Sequence, residues 1–195
     1  MEPKILIVCD RPATADSMVH LLSEGGPRTP EIQCASSSVE ATALVRAEPF
    51  DLIIVNVPLE NGLGDKAVRT LSALTWASLI LLVPREIRER MEEKVRELGV
   101  LVLEKPLHKE EFRNAVELAL LFSRRNRTLY EENARLRERI RELKIVDRAK
   151  VLLVEYLKLS EDQAHRYIEQ QSMELRKSRA EVAQGIINTY EFGIL

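Results

Sequence analysis

Asp51–Val55 reads DLIIV, and Lys4–Val8 reads KILIV. Both are short, nearly continuous aliphatic runs without polar alternation. A strand with one wet face alternates apolar and polar residues, so runs of this kind call for a sheet covered on both sides. Leu79–Val83 and Val100–Leu103 have the same character, and Glu31–Ala35 reads as a shorter strand. Helical patterns fill the gaps. Pro12 opens a helix through Met18, Leu21 and Leu22 that stops at Gly25-Gly26-Pro27, and Ser38 caps another through Ala41, Leu44 and Val45 that stops near Pro49. A loop with Pro58, Gly62 and Gly64 precedes a helix around Val68–Leu74, Arg85–Leu98 reads as a charged helix, and a further helix starts near Lys109. Five strands with intervening helices predict an α/β fold with a doubly wound, five-stranded parallel sheet. Function in such sheets sits at the carboxyl ends of the strands, here Cys9-Asp10, Asn56, Val83-Pro84 and Lys105-Pro106.

The chain has 195 residues, room for one ordinary domain and a small second one. With 45% hydrophobic and 31% charged residues it is not a disordered chain. No apolar run approaches the ~20 residues of a membrane helix, so no membrane partner is expected. Met-Glu-Pro-Lys leads directly into a strand, which is unlike a secretory leader. Two cysteines, Cys9 and Cys34, make neither a disulfide framework nor a zinc site, so a reduced, cytoplasmic protein is expected. Their strands would be neighbours, so a redox pair is conceivable, but two buried small hydrophobes are the simpler expectation. His20 and His108 have no Cys or His at ligand spacing, so no metal and no cofactor are expected. The net charge of −2 divides unevenly, with −5 over residues 1–123 and +3 over residues 124–195. A mildly basic tail favours an anionic partner.

Residues 1–121 resemble the receiver domain of bacterial response regulators. The resemblance rests on Asp10 after the first strand, the Asp51–Asn56 segment, the Pro/Gly loop behind it, and Lys105-Pro106. It implies a pocket with two acidic residues for magnesium, an aspartate phosphoacceptor, a Thr or Ser, and a Lys. Only part of that set is present: Asp10 and Lys105 match, Cys9 replaces the first acid, Asn56 the phosphoacceptor and Val83 the hydroxyl. An amide is no carboxylate nucleophile, and one carboxylate with one amide oxygen is a poor magnesium site. The expectation is a pseudo-receiver that takes no phosphate at Asn56, with Lys105 bonded to Asp10 and to the Asn56 oxygen.

From Lys109 to about Tyr156 there is no Pro, Gly or turn cluster, which points to a coiled coil. Leu129, Leu136 and Leu143 recur every seven residues, with Phe122 one heptad earlier. With these at d, Asn126, Asn133 and Ile140 occupy a, and Ala119 the heptad before. Leu at d with Asn at a favours a parallel two-stranded coil, hence a homodimer joined over residues 122–147. The competing reading is a single amphipathic helix folded back on the first domain.

Two capping boxes follow, Ser160–Gln163 and Ser178–Glu181, each opening a helix. Ala164, Tyr167 and Ile168 form the apolar stripe of the first, and Val182, Ala183, Ile186, Ile187 and Tyr190 that of the second. Both stripes can pack on Ala149, Leu152, Leu153 and Tyr156, giving a three-helix module over residues 148–195. This tail resembles the ANTAR domain of antitermination regulators of the AmiR and NasR kind, through Ala149-Lys150, Leu152-Leu153, Ser160-Glu161, Ala164, Met173, Arg176 and Ala183. The resemblance implies dimeric binding to mRNA leader hairpins that prevents terminator formation. Hairpin loops expose phosphates and unstacked bases, so Arg148, Lys150, Arg176, Lys177 and Arg179 are the candidate RNA contacts, with His165, Arg166 and Tyr167 as further ones. Control would then come from a regulatory protein or a small ligand. The alternatives are a dimeric DNA-binding response regulator, disfavoured because no helix-turn-helix pair with a basic recognition helix is visible, and a protein-binding adaptor. No nucleophile–base pair, metal cluster or Gly-rich phosphate loop points to an enzyme.

Overall fold

The computed structural model describes residues 2–23, 30–59, 62 and 64–193. Five strands, β1 (Lys4–Val8), β2 (Glu31–Ala35), β3 (Leu52–Asn56), β4 (Ser78–Pro84) and β5 (Leu101–Lys105), form one parallel sheet in the order β2-β1-β3-β4-β5. They alternate with α1 (Pro12–Ser23), α2 (Ser38–Ala47), α3 (Asp65–Leu74) and α4 (Arg88–Val95). α5 (Lys109–Leu157), α6 (Glu161–Leu175) and α7 (Arg179–Phe192) follow. The chain divides into two compact units, Met1–Tyr130 and Glu131–Leu195, and α5 belongs to both.

The aliphatic runs are covered on both faces, as their composition requires. Leu6, Val8, Ile53, Val55, Leu81 and Val83 face α2, α3 and α4, against Ala41, Val45, Val68, Leu71 and Met91. The alternate residues Ile5, Ile7, Leu52, Ile54, Ile80 and Leu82 face α1 and α5, against Met18, Phe112, Ala115, Val116 and Ala119. This is the period-two side-chain alternation of a strand, applied to a sheet buried on both sides.

Several boundaries differ from the sequence reading for local reasons. β3 starts at Leu52, and just ahead of it the Asp51 carboxylate accepts the Lys4 backbone N–H at 2.8 Å. Ser37, not Ser38, caps α2: its extended backbone lets the hydroxyl accept from the Glu40 N–H at 3.2 Å. The charged stretch Arg85–Leu98 is α4 flanked by 3₁₀ turns at Arg85–Ile87 and Arg96–Leu98. The Gly25-Gly26-Pro27 stop lies outside the described residues. Gly64 shapes the loop behind Asn56. It sits at φ +78, and a Cβ there would lie 2.3 Å from Val57 Cγ1, so this turn needs glycine.

In the second unit both capping boxes form in full, Ser160 with Gln163 and Ser178 with Glu181. α5, α6 and α7 bury one small core of Ala149, Leu152, Leu153, Ala164, Ile168, Val182, Ala183 and Ile187. Tyr156 is not part of it. It is 55% exposed and stacks on Tyr190 with ring centroids 5.1 Å apart. Tyr167 is likewise exposed rather than core.

Candidate functional site

At the carboxyl end of the sheet, β1, β3, β4 and β5 deliver Cys9, Asp10, Asn56, Val83 and Lys105. Asn56 is only 5% exposed and both ends of its amide are used. Nδ2 donates to Cys9 Sγ at 3.4 Å, and Oδ1 accepts from Lys105 Nζ at 3.0 Å. Lys105 also donates to the Val57 carbonyl, and this takes the place of the expected bond to Asp10. The reason is reach: the ammonium is drawn inward onto two oxygens of adjacent residues, and Asp10 is left without a hydrogen bond or ion pair among the described residues. Burial pushes the Lys105 pKa down, and Arg11 pushes it the same way, while Cys9 and Asp10 oppose them. Val83 is fully buried in the core, an aliphatic side chain that offers a phosphoryl oxygen no donor.

Cys9 is buried and Cys34 exposed, so Cys34 is not the small core hydrophobe expected of it. Ile7 pairs with Cys34 across β1 and β2, which sets Cys9 two residues further along. That diagonal is about 8 Å between Cα atoms, beyond the ~7 Å limit for a disulfide. Among the described residues no group of three or more His, Cys, Asp and Glu could hold a metal, and no helix is long and apolar enough to cross a membrane.

Along α5 the heptad side chains face outward. Phe122, Leu129, Leu136, Ile140 and Leu143 are between 52% and 61% exposed, and Asn126 and Asn133 are exposed with them. Ala119, the earlier a position, is buried in the core of the first unit, so the seam cannot extend back through it. Arg127 lies over the Trp76 ring at 5.4 Å and holds α5 to the first unit beside Asn126.

The five basic residues singled out in the tail do not converge on one patch. Arg148 and Lys150 are two apart on a helix and so face different ways. Arg148 pairs with Glu191 of α7, and Lys150 with Asp147 at 2.9 Å and Glu161 at 3.4 Å. Asp147 above all, with Glu161, holds the Lys150 ammonium and raises its pKa against an opposing burial effect. Arg179 pairs with Glu169 at 3.0 Å, and His165 approaches the same carboxylate at 3.4 Å. Arg176 and Lys177 make no side-chain hydrogen bond or ion pair among the described residues. They form the α6–α7 corner, one α6 length from the Lys150–Glu161 pair, or about 22 Å at 1.5 Å per residue. The corner borders a hollow of about 420 Å³ lined by Arg139, Leu143, Ser172, Ser178 and Arg179.

The expected contact of Tyr190 with Tyr156 is present, but three features escaped the sequence reading: the exposure of Tyr156, Arg139 at the hollow, and Lys158. Lys158 and Arg176 both adopt the left-handed backbone, with φ of 57 and 52. A signal for this pair was present. Leu157-Lys158-Leu159-Ser160 and Leu175-Arg176-Lys177-Ser178 repeat one helix-end pattern, a basic residue two before the capping serine.

The ANTAR domain family matches residues 134–187, which takes in the end of α5, all of α6 and the body of α7. The transcriptional regulatory protein PdtaR of Mycobacterium tuberculosis (strain CDC 1551 / Oshkosh) is 27% identical over 187 residues, covering 95% of this chain and 90% of that protein. The first unit has the fold of a receiver domain. A CheY-like response regulator receiver domain protein from Methanospirillum hungatei JF-1 superposes with a TM-score of 0.57 at 20% identity, covering 64% of this chain and 98% of that one. The chain thus joins a receiver-fold unit to a segment that matches the ANTAR domain family.

An adenylate cyclase structure from Rhodopirellula baltica also superposes, with a TM-score of 0.59 at 19% identity over 71% of this chain and 98% of that one. A likeness at that level concerns the fold alone. The relative of known role that spans nearly the whole chain, PdtaR, is a transcriptional regulatory protein. Arg148, Lys150, Arg176, Lys177 and Arg179 all fall inside the segment that matches the ANTAR domain family, and Tyr190 lies beyond it.

Proposed function

We propose that this ANTAR regulator binds hairpins in nascent mRNA as a homodimer and antiterminates transcription, and that Asn56 accepts no phosphoryl group. The observation that carries the reading is the ANTAR match joined to a helix whose heptad face is exposed from Phe122 to Leu143. An apolar seam of that length calls for a covering helix, and Asn at a favours an identical, in-register one. Arg176 and Lys177 are the cations most available to phosphate, since Arg148, Lys150 and Arg179 are engaged with carboxylates. The exposed face of Tyr156 adds a surface on which an unpaired base can stack.

In the receiver-fold domain the amide of Asn56 has no carboxylate to form an acyl phosphate, and its oxygen is already bonded to Lys105. Control of the dimer therefore falls to a regulatory protein or a small ligand. The deciding experiment compares binding of the purified full chain to a hairpin RNA and to a DNA of matched sequence, at several salt concentrations. Preference for the RNA by tenfold or more supports the reading. Equal affinity favours a DNA-binding regulator, and binding to neither favours an adaptor.

A further inference from the structure

The coil proposed above has one heptad whose flanking charges conflict. In a parallel two-stranded coil the residue before each a position faces the partner residue after the following d position. With a and d placed as above, Glu132 meets the partner subunit's Arg137, an attractive pair. One heptad later Arg139 meets the partner subunit's Lys144, and two cations face each other on both sides of the dimer. Neither is neutralised within its own chain. Lys144 has no ion pair among the described residues, and Arg139, 66% exposed at its side chain, has one loose contact with Glu142 at 3.5 Å.

The same Arg139 lines the hollow at the α6–α7 corner, with Leu143, Ser172, Ser178 and Arg179. Arg139 and Leu143 are four apart and so adjacent on one helix face. Leu143 belongs to the seam, so the helix that covers it also stands at the edge of this hollow. We infer that the end of the coil and the α6–α7 corner form an anion site that is complete only in the dimer and takes an RNA backbone phosphate. This rests on the dimeric, RNA-binding reading above. Arg139, Arg179 and the partner subunit's Lys144 surround the site. Glu142, Glu169 and Glu181 face it as well, three carboxylates for three cations, so the excess of positive charge comes from the adjoining Arg176 and Lys177. The N-terminus of α7 opens onto the hollow and adds to the attraction. Arg176 and Lys177, which make no side-chain hydrogen bond or ion pair among the described residues and precede Ser178 in the chain, continue the positive track, which suits a chain of phosphates better than a single acidic side chain.

The site makes opposite demands on assembly and on binding, and this gives the test. Arg139→Glu would exchange two repulsive pairs per dimer for two attractive ones and remove the phosphate contact. Lys144→Glu does the same while leaving the Arg139–Glu142 contact in place. The dimer dissociation constant of the full-length parent and both variants is measured by sedimentation, with and without tripolyphosphate at matched ionic strength. Binding of hairpin RNA is measured in parallel by fluorescence anisotropy. Without polyanion, both variants should dimerise several-fold more tightly than the parent. Tripolyphosphate should tighten only the parent dimer, and both variants should bind RNA several-fold more weakly. Variants that dimerise no more tightly, or a parent dimer indifferent to tripolyphosphate, would overturn the site. A parent that responds to tripolyphosphate but does not bind hairpin RNA keeps the anion site and overturns the RNA reading instead.

Discussion

Leu136 is the strongest test of the seam. It lies at the middle of the three consecutive Leu d positions and is 58% exposed in the single chain. Fully burying a leucine side chain is worth about 1.5–3 kcal/mol, so covering this fraction contributes about 1–1.5 kcal/mol per copy. Leu136→Ala removes most of that from both helices at once. The dimer should weaken by about 2–3 kcal/mol, or roughly 30- to 160-fold in dissociation constant. The monomer should hardly change, since Leu136 lies outside all three buried cores of the chain. Sedimentation across a concentration series reads the dissociation constant, and far-ultraviolet circular dichroism at high concentration checks that helix content persists. A dissociation constant within threefold of the parent would remove Leu136 from any interface and leave the single-helix reading of α5.

Incubation with acetyl phosphate and magnesium should leave the intact mass unchanged, and a phosphoryl group mapped to Asn56 or its neighbours would refute the pseudo-receiver. Arg176→Ala and Lys177→Ala should each lower RNA affinity and flatten its salt dependence by about one unit of slope at most, with helicity and dimerisation intact. Lys150→Ala should cost stability as well as affinity, because it leaves Asp147 and Glu161 without their cation; an affinity loss with unchanged melting would make Lys150 a pure RNA contact. The Lys94 ammonium, 2.6 Å from Asp65, holds the aspartate pKa below its ordinary value. That contribution is present above about pH 4 and is lost as pH falls through the lower folded pKa, so Asp65→Asn should destabilise the chain near neutral pH and not near pH 2 in urea titrations.

What the sequence made legible was local or periodic. KILIV and DLIIV point to a sheet buried on both sides because they carry no polar alternation, and the resemblance to a receiver rests on Asp10, the Asp51–Asn56 segment and Lys105-Pro106 at the strand ends. The capping boxes were readable because each closes within three residues. The same holds for the degenerate pocket, whose members sit at strand ends. Interactions over long separations were not readable. Arg148 and Glu191 are 43 apart in sequence, and nothing in either segment marks them as partners. Lys105 offered two acceptors at the sequence level, Asp10 and Asn56, and the depth of the ammonium decided for Asn56 and the Val57 carbonyl. The exposure of Tyr156 depended on where α7 crosses α5. That Ser37 rather than Ser38 caps α2 is set by its extended backbone, which aims the hydroxyl at the Glu40 N–H.

The two left-handed corners at Lys158 and Arg176 carry a cost that the chain could have avoided. A non-glycine residue in that conformation gives up roughly 1–2 kcal/mol, and helices commonly end there on glycine for this reason. Both corners hold a long cation instead. Glycine at either corner would relax the backbone and remove its charge in the same step, so backbone ease and positive charge are set against each other at these two residues. A thermostabilising redesign guided by folding energy alone would choose glycine at both, and the sturdier protein it produced would have lost two positive charges from its basic tail.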